Sequence, residues 1–352
     1  MKNISSQKIN RLNENGYSLN NIKPSDFYDI LKIPGFGVKT TYQLFEQLGL
    51  QIPYLSMIES NNIIKDQVII DNKIIKPWRK HKTKKSKMIP YGPDSFNLEK
   101  TTVWSFPERG NWASHTGEYR GNWPPQLVRN VIMLYSKEGD IVLDPMVGGG
   151  TTPVECLLTN RNSISIDINP DSIAIVRDRL NIQDEITIDL NNTTHKTFIG
   201  DIRNLDQIDD CSIDLIATHP PYVNIIHYAP LVEGDLSQFS DYELFFKEFS
   251  IGISEMYRVL KPGKKCAILI GDTHKKSHFV PISTRMMIEF LKAGFILKED
   301  IIKQEWNCNS SRSLTKYGKA EFLLTMHEHL FIFEKPDSKA TYSKESTIAF
   351  LS

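Results

Sequence analysis

The sequence predicts an α/β fold: a mostly parallel sheet with helices on both faces, an antiparallel hairpin at one sheet edge, and a small helical unit ahead of it. Three observations carry this prediction. From about residue 101 to 336, short apolar runs rich in β-branched residues alternate with segments of helical periodicity. The runs ending at Asp144 and Ala217 open directly into Gly-rich or Pro-rich turns, as strand tips do. The last two apolar runs, 296–303 and 321–333, have no helical segment between them, which predicts an antiparallel pair at the edge.

Composition bounds the problem without solving it. The 352 residues leave room for one large α/β domain and a smaller companion. Lys plus Arg and Asp plus Glu both number 42, so overall charge selects no class of partner, and any polyanion must be met by local basic patches. Cys156, Cys211, Cys266 and Cys308 are scattered and form no CxxC pair, so neither a disulfide framework nor a metal site is expected. The N-terminal MKNISSQKINRLNENGYSL lacks the apolar stretch of a signal peptide, and no run of 18 apolar residues occurs. The expectation is a cytoplasmic protein with no membrane contact.

Residues 1–50 read as a helical unit. In FYDILKIPGFGVKTTYQLFEQLGL, two apolar-periodic segments flank Ile33-Pro34-Gly35-Phe36-Gly37. This resembles the helix-hairpin-helix motif of DNA-binding proteins. The resemblance implies that Gly35, Gly37 and Lys39 face a phosphate at a helix N-terminus. The competing reading is a plain helical hairpin held by Ile30, Leu31, Phe36, Leu44, Phe45 and Leu48. Residues 51–100 read as an irregular basic linker. Lys80, Lys82 and Lys84 in its Lys76–Lys87 run are candidates for phosphate contact, against a simple solvated loop.

Helix PPQLVRNVIMLYS leads to strand DIVLD, helix PVECLLTN to strand NSISID, and helix PDSIAIVRDRL to strand TFIGD. Strand IDLIATH follows, then helix DYELFFKEFSIGISEMYRVL, strand KCAILIGD, helix PISTRMMIEFLKAGF and the two closing runs. Residues 337–352 read as a tail.

The first strand of this series runs into Pro145-Met146-Val147-Gly148-Gly149-Gly150-Thr151. Three glycines at a strand-to-helix turn let a ligand approach the backbone. The second strand ends in Asp167-Ile168, where a carboxylate suits ribose hydroxyls. The third ends at Asp201-Ile202, which puts a further acid at the same sheet edge. Asp144 precedes the turn, where it suits an amino group, and no Lys follows the glycines as a nucleotide P-loop would require. These features favour S-adenosyl-L-methionine over a dinucleotide. The candidate cofactor residues are therefore Asp144, Met146, Gly148, Gly149, Gly150, Thr151, Asp167, Ile168, Asp201 and Ile202.

The fourth strand opens into Thr218-His219-Pro220-Pro221-Tyr222, where paired prolines end the ladder and stiffen the loop. Together with WSFPERGNWASHTGEYRGNWPPQLVRN, DPMVGGGTT, YRVLKPG and HEHLFIFEK, this loop resembles the DNA methylases specific for cytosine N4 or adenine N6, many of which belong to restriction–modification systems. The resemblance covers roughly residues 104–335 and implies a Rossmann-like class I methyltransferase sheet. It implies a base flipped out of double-stranded DNA and methylated on its exocyclic amine. His219, Pro220, Pro221 and Tyr222 become the candidate catalytic residues. The side chain at 219 and the Pro220 carbonyl accept the amine protons, and Tyr222 stacks on the base. The region Arg109–Asn122 closes over the methionine end of the cofactor.

One position departs from the family, which usually has Ser, Thr, Asn or Asp where this chain has His219. A neutral imidazole can accept one hydrogen bond and a protonated one cannot. The target base stays open, with a lean to cytosine N4. Recognition is expected from residues 1–100, the loop after Tyr222 (Asn224, His227, Tyr228, Glu233, Gly234, Asp235), Asp272–Phe279 and Trp306–Lys319. A cognate restriction endonuclease is a candidate partner. The competing functions are an RNA amino-methyltransferase, a nicotinamide-dependent oxidoreductase on the same fold, and a catalytically inactive DNA-binding protein. His327 and His329 read as strand residues rather than metal ligands.

Overall fold

The structure is a computed structural model. It describes residues 5–31, 33–52, 54–59, 63–64, 67–70, 73–75, 92–93, 95–181, 193–223, 232, 234–275, 278–306 and 323–337. At Tyr28, Val38, Lys39 and residues 63–64, 67–70 and 73–75 only the backbone is described. Lys80, Lys82, Lys84, Asn224, His227, Tyr228, Glu233 and most of Trp306–Lys319 lie outside the described residues, as does the side chain of Lys39.

Three helices open the chain: α1 (Ser6–Glu14), α2 (Phe27–Leu31) and α3 (Val38–Leu48). The turn between α2 and α3 holds Gly35 at φ +90°, a left-handed conformation that favours glycine, and a Cβ there would meet the Arg11 guanidinium. Arg11 in turn donates to the Pro34 carbonyl at 3.0 Å. Leu12, Phe27, Ile30, Phe36, Leu44 and Phe45 bury their side chains, and Phe27 meets Tyr42 and Phe45 edge-on. These residues belong to the same apolar cluster as Phe245 and Phe249 of a later helix.

A nine-stranded sheet organises the rest. Its strands are β1 (Ile58–Glu59), β5 (Val103–Ser105), β6 (Ile141–Asp144), β7 (Asn162–Asp167), β8 (His195–Ile199), β9 (Ile213–Thr218), β10 (Leu260–Ile270), β13 (Ile296–Gln304) and β14 (His327–Glu334). They run in the order β1-β8-β7-β6-β9-β10-β14-β13-β5. Strands β8, β7, β6, β9 and β10 are parallel, and β14 runs antiparallel to both β10 and β13. Crossovers pass through α5 (Thr151–Leu158), α6 (Pro170–Leu180), α7 (Tyr242–Val259) and α8 (Ile282–Lys292), while α4 (Pro125–Tyr135) precedes β6. Helix starts follow local chemistry: the Asn169 side chain accepts from the Asp171 N–H at the head of α6, next to Pro170.

Strand alternation divides the core into two layers. Cys266, Ile268 and Ile270 of β10 face α7 and α8 together with Phe331 and Phe333 of β14. Ala267, Leu269, Leu330 and Ile332 face Leu127, Val128, Val131 and Ile132 of α4.

Two expectations need correction. The β13–β14 pair is antiparallel but not at the edge, because β5 lies alongside β13 in parallel and takes that place. Residues 51–100 are not all irregular. Ile58 pairs with Ile199 across the opposite edge, and β2 (Ile63–Ile64), β3 (Gln67–Ile70) and β4 (Lys73–Ile75) form a separate small sheet. Strands of two to four residues are too short for alternation to announce them. A further hairpin, β11 (Thr273–Lys275) with β12 (His278–Val280), rises beyond the C-terminal end of β10.

Candidate active site

Parallel strands present their C-terminal ends on one side, and there a crevice of about 770 Å³ opens. Its wall includes Asp144, Met146, Gly148 and Gly149 from the first turn, Asp167 and Ile168 from the second strand end, Asp201 and Ile202 from the third, and His219 and Pro221 from the fourth. The four tips thus converge. Gly150, Thr151, Pro220 and Tyr222 are not among the lining residues: Gly150 caps α5, and Thr151 donates to Asn122 Oδ1 at 2.6 Å.

Each acid is held differently. Asp167 accepts from the Gly148 N–H (2.8 Å) and the Asn169 N–H (2.9 Å), which ties the glycine turn to the second strand end. Enclosure raises its carboxyl to about 7 against those hydrogen bonds, with help from nearby Asp235 and Asp144. Asp144 accepts from Thr152 Oγ1 at 2.6 Å, and burial raises it to about 6. Asp201, the third acid on the crevice wall, offers no bare carboxylate. Its oxygens are instead engaged by Arg203, through Nε at 2.9 Å and Nη2 at 2.6 Å. Arg203 also reaches Glu248 of α7 at 2.8 Å and lies over the Tyr54 ring, and Tyr42 of α3 donates to the same Glu248 at 3.1 Å.

The segment from Arg109 to Trp123 covers the glycine turn. A Cβ on Gly149 would lie 2.8 Å from Tyr119 Cβ, so only glycine admits the ring there. Tyr119 is hydrogen-bonded to Ser172 at 3.1 Å, and Arg179 reaches the Gly149 carbonyl. Below the segment, buried Glu155 accepts from Trp112 (2.7 Å) and Arg129 (2.6 Å) and pairs with His115 (2.7 Å). Tyr119, Gly121, Asn122 and Trp123 all line the crevice, which gives this aromatic-rich stretch a surface on the site.

At the Thr218–Tyr222 loop, His219 Nε2 lies 2.6 Å from the Tyr222 hydroxyl, which donates to Glu328 Oε1 at 2.5 Å. Glu328 Oε2 accepts from Lys303 at 2.9 Å. The Tyr222 ring edge faces Gly271, where a Cβ would stand 2.8 Å from Cε2, and the Trp123 ring lies 6.0 Å from the imidazole, tilted by 30°. Burial lowers the His219 pKa below its ordinary value, with Glu328 opposing and Lys303 reinforcing the shift, so the ring is neutral at physiological pH. Lys303 and Glu328 carry no sequence signal for this role. Asp235 was assigned to a recognition loop, yet it lines the crevice and approaches Asp167.

The acidic, glycine-floored crevice fits a cationic nucleoside cofactor: carboxylates for a ribose and an ammonium, and glycines where a backbone must be approached. The strand order, with one antiparallel strand inserted beside β10, and this crevice define a Rossmann-like methyltransferase fold, whose cofactor is S-adenosylmethionine. Residues 42–178 and 213–350 match the DNA methylase family of the N6/N4 type, and the chain belongs to that family. Among curated relatives, it is 38% identical over 81 residues to the Type II methyltransferase M.MjaII of Methanocaldococcus jannaschii, covering 22% of this chain and 15% of that protein. It is 35% identical over 83 residues to the Type II methyltransferase M.Cfr9I of Citrobacter freundii, covering 24% and 26%. It is 27% identical over 126 residues to the DNA adenine methyltransferase YhdJ of Escherichia coli, covering 35% and 43%. The chain spans less than half the length of each of these relatives. A solved structure of a DNA modification methylase from Thermus thermophilus, in complex with S-adenosyl-L-methionine, matches with a TM-score of 0.29 and 22% identity, over 39% of this chain and 51% of its own.

Proposed function

We propose that the protein methylates an exocyclic amino nitrogen of a flipped base in double-stranded DNA, as the modification enzyme of a restriction–modification system. The observation that carries this reading is that Gly148 and Gly149 line one crevice with His219 and Pro221. S-adenosylmethionine, when bound, supplies an electrophilic methyl on a sulfonium. Asp167 would hold the ribose hydroxyls, Asp144 the methionine amino group, and Ile168 and Ile202 the faces of the adenine.

An exocyclic amine is a weak nucleophile because its lone pair is delocalised into the ring. Two acceptors on its protons, the Pro220 carbonyl and the His219 imidazole, would localise that pair toward the methyl. Positioning and electrostatics suffice, with no covalent intermediate. Tyr222 carries two roles in this reading: stacking on the base, from the family resemblance, and holding His219, from its hydrogen bond.

For DNA contact we propose the α2–α3 turn with its exposed Gly35 and Gly37, the Lys80–Lys84 run, and the β11–β12 hairpin. That hairpin starts two residues beyond Gly271 and carries Lys275 and a Phe279 that is 53% exposed. Cytosine N4 is favoured over adenine N6 by the Thr218-containing loop alone. Expression in a host free of DNA modification, followed by single-molecule sequencing, tests the proposal. A modified base at one short motif is expected, and an unmodified genome would overturn it.

A further inference from the structure

The imidazole that stands in the acceptor position of the catalytic loop has two nitrogens, and only a deprotonated one can accept an amine proton. Nδ1 is one bond beyond Cγ, as is Oδ1 of the Asn or Asp that relatives carry, so it is the nitrogen that would meet the amine. Nδ1 is buried and makes no hydrogen bond. The Gly121 main chain lies near the ring and favours its protonated form. Which nitrogen holds the proton is therefore decided at the other end of the ring.

There the hydrogen-bond chain runs Lys303 Nζ to Glu328 Oε2 (2.9 Å), Tyr222 hydroxyl to Glu328 Oε1 (2.5 Å), and Tyr222 hydroxyl to His219 Nε2 (2.6 Å). A tyrosine has one proton to give. Burial alone would raise Glu328, but the Lys303 ammonium, bonded to Oε2 at 2.9 Å, holds it below the usual carboxylate range, so its Oε1 accepts from Tyr222. The Tyr222 proton must then point to Glu328, and the phenol oxygen is left to accept from Nε2–H.

We infer that Glu328, fixed by Lys303 and acting through Tyr222, is a positioning residue that sets His219 in the Nε2–H tautomer, leaving Nδ1 bare as the acceptor for the target amine. This rests on the proposed methylation of an exocyclic amine and explains how a histidine serves where the family uses a simpler acceptor. Glu328→Gln reverses the chain. Lys303 holds the amide oxygen, the amide N–H₂ turns to Tyr222, and the phenol proton turns to Nε2. Nδ1 then carries the ring proton.

The test is ¹⁵N–¹H correlation NMR of histidine-labelled full-length protein without DNA, with His219 assigned by its loss in His219→Asn. Wild type is expected to show Nε2 protonated and Nδ1 bare, and Glu328→Gln the opposite. Nδ1 protonated in the wild type, donating to Gly121, would overturn the inference whether or not the variant folds. Turnover supplies a second arm. Glu328→Gln should lower kcat by about 10- to 100-fold, the kinetic equivalent of one charged hydrogen bond, with the cofactor KM unchanged. In a His219→Asn background the same change should cost less than about threefold, since an amide oxygen needs no tautomer. An equal loss in both backgrounds would mean a merely structural role and sink the inference. Absence of any DNA methylation by wild type would instead overturn the functional reading and leave the tautomer result standing.

Discussion

Arg203 grips both carboxylate oxygens of Asp201, its neighbour two residues back, at 2.9 and 2.6 Å. The same guanidinium reaches Glu248 on α7, so one side chain joins the crevice wall to the helix against which the N-terminal helices pack. Removing one partner of a buried ion pair leaves charge without compensation. Arg203→Ala is expected to lose about 3–5 kcal/mol in urea unfolding, with both Asp201 and Glu248 stranded. A loss under about 1 kcal/mol would mean that the carboxylates find other partners.

Asp167, proposed above to hold the ribose, should make cofactor binding depend on pH. Its folded-state carboxyl, near 7 rather than 3.8, takes up a proton as pH falls below neutrality and then loses acceptor capacity for a ribose. Affinity for S-adenosylmethionine, measured by titration calorimetry, should be highest near pH 8 and fall through pH 7 toward 6, about where Asp144 also protonates. Asp167→Ala should weaken binding by about 10- to 100-fold, and a flat profile in wild type would contradict the assignment.

At saturating cofactor a different group controls the acid side. His219 accepts only when neutral, and burial holds its pKa below the ordinary value of 6.5. The acid limb of kcat should therefore lie below pH 6.5 in wild type and vanish in His219→Asn. A limb above 6.5 would show an imidazole stabilised in its charged form, contrary to its surroundings.

The β11–β12 hairpin, proposed for DNA contact, should separate DNA binding from cofactor binding. Lys275→Ala should lower DNA affinity and reduce the slope of log K against log salt by about 1, as one lost phosphate contact does. Phe279→Ala should weaken DNA binding without that change in slope. Neither variant should alter cofactor affinity, and an unchanged DNA affinity in both would remove the hairpin from the interface.

Gly35 tests the N-terminal turn. An alanine there adopts φ +90° at a cost of about 1 kcal/mol and meets the Arg11 guanidinium. Duplex affinity of Gly35→Ala, measured by fluorescence anisotropy, is expected to fall by about 10-fold, as for one lost phosphate hydrogen bond, because the reshaped turn moves the N–H groups offered to DNA. Full affinity would favour the plain helical hairpin.

Much of this was legible in the sequence because it is periodic. The unbroken apolar runs Cys266–Ile270 and Leu330–Phe333 announce strands buried on both faces, and Gly148–Gly150 after Asp144 announces a strand tip. The site was legible wherever successive strand ends carry it. Strands β1 and β5 escaped because two or three residues hold no period. The Arg203–Glu248 contact escaped because the two residues are 45 apart in the chain. The Tyr222–Glu328 hydrogen bond spans 106 residues, and nothing local to either marks it.

The most direct measurement combines purified protein, unmodified duplex DNA and methyl-labelled S-adenosylmethionine, followed by nucleoside digestion and mass spectrometry. The account predicts label in N4-methylcytosine or N6-methyladenine. Label on a ring carbon, as in 5-methylcytosine, or transfer only to RNA offered in the same tube, would contradict it.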